Sequence, residues 1–239
     1  MATAAPQPPN LSNLLLGVAE ELKLPLLQIA RQAEQLALNE KASGLKTIQS
    51  TADSALRLLD NYVLGVRLAL EPAQLSRESV SVSSVLYDTG QQLDALARNY
   101  GVKLEMNVAG RFGPVLAHRQ GLQAALVSLG AALIEALPAQ GPAQEQLTLQ
   151  LATHRSRYGI VAGLYAETKQ LSSDALRRGR ALQLHSRQPL LNLTHTSGAG
   201  IFVADTILHA MQLNLRTSRH HRLYGLGTVL QPSRQIQLV

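Results

Sequence analysis

Apolar residues recur at steps of three and four through Leu11, Leu14, Leu15, Val18, Leu22, Leu26 and Ile29, and continue over Ala33 and Leu36 to about Asn39. That spacing lines one face of a helix, and Asn10 stands where its N-cap belongs. Pro25 falls inside the run, where a missing backbone donor should bend the helix. After a break predicted at Ala42-Ser43-Gly44, a second run follows through Leu45, Ile48, Ala52, Ala55, Leu59, Tyr62, Val63 and Val66 to about Leu70. Two long helices joined by a short turn make an antiparallel hairpin. Its apolar seam is too slight to bury alone, so the pattern predicts two copies pairing into a four-helix bundle.

The pattern changes at Glu71-Pro72. Ser76 to Ser84 is polar with Val80 and Val82 alternating, a short strand candidate. Val85 to Asn99 reads as a helix closed by Tyr100-Gly101, and Val102 to Val108 alternates at period two as a strand. A turn at Gly110 to Pro114 leads to an Ala- and Leu-rich helix from about His118 to Ala136. Gln146 to Thr153 and Tyr158 to Tyr165 are strand candidates, followed by a loop-plus-helix region around Ser173, Asp174 and Arg177. Ser197-Gly198-Ala199-Gly200 opens a last helix through Ile201, Val203, Ile207 and Met211. Asn214 to Thr217 and Thr228 to Leu230 are closing strands, with Ile236 and Leu238 at the end. The order predicts helices packed on a mixed sheet, an α+β architecture.

Composition narrows the chemistry. Hydrophobic residues are 46% of the 239 but aromatics only 3%, with no Trp, so Leu, Ala, Val and Ile must build the core. The absence of Cys removes disulfides, thiolate metal sites and cysteine nucleophiles together. No apolar run reaches the roughly 18 to 20 residues that span a bilayer, and Met1 to Asn10 has neither a basic nor an apolar region. A cytoplasmic protein is expected, with no membrane partner. The net charge of +6 permits an acidic partner, with concentrations at Arg155/Arg157, Arg177 to Arg180 and Arg216 to Arg222. These runs have few aromatics beside them for base stacking, which disfavours nucleic acid.

Within this frame, Glu21-Leu22-Lys23-Leu24-Pro25-Leu26 is similar to the E-L-[RK]-[TN]-P-L box of bacterial sensor histidine kinases. The junction Leu68 to Leu75, the segment Leu93 to Leu104, the helix around Leu122 to Ile134, and Gly198-Ala199-Gly200-Ile201 support it in the same order. Residues 11 to 239 thus resemble the catalytic core of that family. The implied fold is a dimerisation hairpin followed by an α/β-sandwich ATPase domain of the type shared with gyrase. The implied boundaries are a disordered N-terminus at 1–10, the hairpin at 11–71, a linker and first strand at 72–82, and the ATPase-like domain at 83–239.

The same resemblance makes the departures informative. Where the family has its phosphoacceptor histidine, this chain has Glu20, and all seven histidines lie beyond the hairpin. Leu24 stands where a Thr or Asn would position water for dephosphorylating a receiver, and leucine has no polar atom. The two asparagine positions of the magnesium-binding helix align with Ser128 and Ala132. The D-x-G-x-G box aligns with Ala166 to Gln170, so the adenine acceptor falls on Ala166 and both glycines are gone. Gly198 and Gly200 persist at a helix start, where backbone N–H groups can meet an anion or the glycines can simply admit a tight turn.

No catalytic residue, cofactor or metal is therefore expected. The expected function is that of a catalytically inactive histidine-kinase-like signalling protein. It would act as a homodimer through contact with a response-regulator receiver or another signalling kinase, docking through Glu20, Glu21, Lys23 and Leu24. Two alternatives stay open: a divergent phosphotransfer protein with an unorthodox acceptor, and nucleic-acid binding through the arginine-rich loops. Glu20 either mimics the charge of a phosphohistidine or is simply a good helix former.

Overall fold

The computed structural model describes residues 42–70, 73–108, 112–137, 147–167 and 198–233, together with Leu22, Pro25, Gln28, Ile29 and Gln32. Those five positions are helical, and Pro25 is buried. Leu22, Pro25, Ile29 and Gln32 are spaced as one helix face.

Helix α1 runs Ala42–Leu70. It begins where the sequence predicted a break, because small residues are well tolerated in a first turn whose backbone N–H groups lack intrahelical partners anyway. Strand β1, Glu78–Val80, is shorter than the pattern suggested. Ser81 ends it: its hydroxyl accepts from the Ser84 N–H at 3.4 Å and caps helix α2, Val82–Asn99. The apparent alternation of Val80 and Val82 therefore straddles a strand end and a helix start. Helix α2 closes on Gly101, whose φ of +67° is the left-handed conformation that glycine adopts freely. Strand β2, Lys103–Val108, follows.

Strand β3, Val115–Ala117, was not legible as a strand. It pairs antiparallel with β1 and is tied to the segment after the last strand: the Leu116 N–H donates to the Gln231 carbonyl at 2.9 Å, and the Ser233 N–H donates to the carbonyl of Pro114, just before β3, at 2.7 Å. Helix α3, Arg119–Ala136, is capped by the His118 imidazole, which accepts from the Gly121 N–H at 3.0 Å. Strands β4, Thr148–Ser156, and β5, Gly159–Ala166, form a hairpin, and helix α4 is Ala199–Ala210. Strands β6, Leu215–His220, and β7, Leu223–Leu230, are longer than predicted. The added part of β7 includes Gly225 and Gly227, residues that weaken a strand interior. The predicted loop-plus-helix region around Ser173, Asp174 and Arg177 and the closing Ile236 and Leu238 lie outside the described residues.

The architecture is α+β. A five-stranded mixed sheet has the order β2-β4-β5-β7-β6, with β2 and β4 parallel and the other pairs antiparallel. Leu149, Leu151, Ile160, Ala162 and Leu164 point from one face into a single core shared with α2, α3 and α4. Helix α3 lies between α2 and α4, and α1 packs across all three. Leu58, Tyr62 and Leu68 of α1 belong to that same core. Asn99 of α2 donates to the buried Thr51 hydroxyl of α1 at 3.2 Å. No helix among the described residues is long and apolar enough to cross a membrane.

Because Tyr62 is only 2% exposed between α1 and the helical layer, Tyr62→Ala should lower unfolding stability by about 3 kcal/mol. Tyr87→Ala, at an exposed position, should change it by less than about 0.5 kcal/mol. Denaturant midpoints of the two variants test the ordering.

Candidate functional site

The residues aligned with a nucleotide site come from three elements. Ser128 and Ala132 stand four apart on α3, so both side chains share one helix face. Ala166 is the last residue of β5, paired with Tyr224 of β7. Gly198 is the N-cap of α4, its carbonyl accepting from Phe202 N–H at 2.8 Å, and Gly200 lies in the first turn. Helix α3 packs against both α4 and β5, so the fold gathers these elements in one region.

Burial governs what the region can do. Ser128 is 0% exposed, Ala132 5% and Ala166 1%. Gly198, Ala199 and Gly200 are buried as well. The Ser128 hydroxyl is enclosed without a hydrogen-bond partner, and an alanine methyl has no lone pair for a metal. A magnesium-nucleotide needs oxygen ligands facing the phosphates and an acceptor facing the base. Ser128, Ala132 and Ala166 present neither, so these positions do not fit the group. Among the described residues, no group of three His, Asp or Glu side chains is arranged to hold a metal ion.

One ionisable residue in this region escaped the sequence reading. Glu135 follows Ala132 by three positions on the same face of α3, and burial pushes its carboxyl up to about 8. Burial, and secondarily the charge of Glu135, raises the Tyr100 hydroxyl well above its usual range, and that hydroxyl has no hydrogen-bond partner. A lone carboxylate inside the apolar run Ala131 to Leu137 was the available signal. Glu20, Glu21, Lys23 and Leu24 lie outside the described residues.

No family model matches the sequence, and no curated protein matches it. Solved structures do. The Acinetobacter baumannii histidine kinase AdeS is similar with a TM-score of 0.52 at 10% identity, over 90% of this chain and 98% of that one. Full-length ShkA in complex with AMPPNP gives 0.54 at 14% identity, over 81% of this chain and 40% of that one. Histidine kinase ThkA, in complex with the response regulator protein TrrA, gives 0.50 at 12% identity, over 92% of this chain and 62% of that one. The described fold is that of a histidine-kinase catalytic domain.

Glu135 makes stability depend on pH with a defined sign. Below the usual carboxylate value near 4.5 both folded and unfolded chains hold its proton. Between 4.5 and about 8 only the folded chain keeps it, so this group lowers stability by about 1.4 kcal/mol per pH unit as pH rises. Glu135→Gln should remove that slope, leaving the variant more stable than the parent at pH 8 and similar to it at pH 4. Urea denaturation across the range checks this; parallel stability curves would contradict it.

Proposed function

We propose that this chain, built on a histidine-kinase core, is a signalling protein that works by dimerising and contacting a partner, without ATP-dependent phosphoryl transfer. The observation that carries the reading is the chemistry of α3: at the aligned magnesium positions, a buried hydroxyl and a methyl group replace metal-binding side chains. Glu20 in place of a nucleophilic imidazole and Leu24 in place of a water-positioning side chain support the same conclusion from the sequence. A carboxylate is a poor nucleophile toward an anionic phosphate, and its product would be a labile acyl phosphate.

The partner proposed is a response-regulator receiver domain, in keeping with the solved complex of ThkA and TrrA. The proposed docking surface is the segment Glu20 to Leu24, and the proposed setting is the cytoplasm. Dimerisation is supported by α1. Leu56, Leu59 and Val63 are 60%, 36% and 43% exposed, and their spacing of three and four forms an apolar stripe along one side of the helix. An exposed apolar helix face is the kind of surface that a second copy covers in a four-helix bundle.

Isothermal titration with Mg-ATP should give no binding up to about 1 mM, a limit near 4 kcal/mol of binding free energy. Micromolar binding, or transfer of labelled phosphate to any residue, would overturn the inactive reading. For the dimer, Leu56→Glu combined with Val63→Glu should convert the protein to a monomer by light scattering while the thermal transition is retained. A parent that is monomeric at tens of micromolar would sink the dimer.

A further inference from the structure

The sheet face opposite the helices carries a second cluster. By register, Asn107 of β2, His154 of β4, Tyr165 of β5 and His220 of β6 all point from that face. Gly163 and Gly227 lie beneath them, and a Cβ at either would approach the Tyr165 hydroxyl, at 2.9 Å and 3.3 Å. The bare backbone there lets the rings lie down. His154 and His220 stack with centroids 5.2 Å apart, Tyr165 stands 5.4 Å from His220, and His221 meets His220 edge-on at 4.3 Å. The Tyr165 hydroxyl donates to Ser218 at 3.3 Å, and the Asn107 amide lies 3.4 Å from His220 Nε2.

A cleft of about 500 Å³ opens beside this stack, lined by Thr153, His154, His220 and His221 together with Phe112, Arg155 and Arg219. Its volume falls in the range of small-molecule sites. Two arginines line it and no carboxylate does. Arg155 lies over the Phe112 ring at 5.9 Å, and Arg219 donates to the His221 carbonyl at 2.9 Å. Neither arginine is ion-paired among the described residues. Two enclosed polar atoms of the lining residues, Thr153 Oγ1 and His154 Nδ1, have no hydrogen-bond partner. Arg155, paired with Ile160, and Arg219, paired with Tyr224, leave their strands on the opposite face and line the cleft from the strand ends, while the charged groups on the face of the stack are Arg216 on β6 and the Lys103–Glu105 pair on β2, joined at 2.8 Å.

We propose that this cleft binds a small oxyanion of the phosphate or sulfate type, held by Arg155 and Arg219 and hydrogen-bonded by the histidines. Guanidinium groups match such oxygens in geometry and charge. The site shares no residue with the aligned nucleotide positions Ser128, Ala132, Ala166, Gly198 and Gly200, and stands whether or not the proposed signalling role holds.

Proton linkage supplies a distinguishing readout. Burial first, and the charge of His221 second, hold His154 and His220 below the ordinary imidazole range; for His220, His154 adds to the same effect. A bound anion favours their protonated forms, so binding must strengthen as pH falls. Sulfate keeps its double charge through this range and isolates the contribution of the protein; inorganic phosphate serves as the second probe. Titrating either anion into the full chain should give saturable NMR shifts of the His154 and His220 ring protons. Sulfate affinity should rise about tenfold from pH 7.5 to 5.5, the equivalent of one pKa unit of coupling. Arg155→Gln with Arg219→Gln, both at exposed positions, should weaken binding about tenfold or more while the thermal transition is unchanged. Shifts that do not saturate, that are pH-independent for sulfate, or that persist in the double variant would mean an adventitious ion only and overturn the proposal.

Discussion

The structure depends on the near-complete burial of α3. It rests on the sheet, is flanked by α2 and α4, and is crossed by α1. Leu122, Leu126, Leu129, Leu133 and Ile134 are each at most 2% exposed. A helix that is apolar on every side is stable only when something covers every side. Small residues make the close approach feasible: an added Cβ at Gly130 would run into the Leu93 side chain of α2. The other elements are arranged to keep this one helix out of water.

That constraint limits what the aligned nucleotide positions can do. A metal-binding helix must turn an oxygen-bearing face toward a solvent-filled pocket, whereas here the face bearing Ser128 and Ala132 is enclosed. The one strongly acidic side chain on it, Glu135, is held by burial toward its neutral form. The polar chemistry of the described fold collects instead on the far side of the sheet, where glycines make room for tyrosine and histidine rings.

Much of this was legible in the chain. Periodicity located α2, α3, α4 and the β4–β5 hairpin to within about three residues at each end, because each has a clean apolar repeat and a recognisable end such as Gly101. The misses have local causes. The helix potential of Ala42 to Gly44 was hidden by residues that also favour turns, and β3 is too short to show a period. The first half of β7 shows no apolar alternation because Gly225 and Gly227 interrupt it, although glycine is tolerated there: a Cβ at Gly225 would meet the backbone of β5, and one at Gly227 would also approach the Tyr165 hydroxyl. At the site, the loss of side-chain chemistry at Ser128, Ala132 and Ala166 was visible in the residue types. The stack of His154 on His220 was not, since it joins residues 66 positions apart on strands that are not neighbours in the sheet.

The basic stretch from Arg216 to Arg222 has a consequence apart from any ligand. Strand β6 is one edge of the five-stranded sheet and β2 is the other. An open edge presents backbone donors and acceptors that can recruit a strand from another chain, and charged side chains along it are a common protection. Arg216 and Arg219 occupy β6, and Lys103 and Glu105 occupy β2. The charge on these two strands thus guards both borders of the sheet against edge-to-edge aggregation.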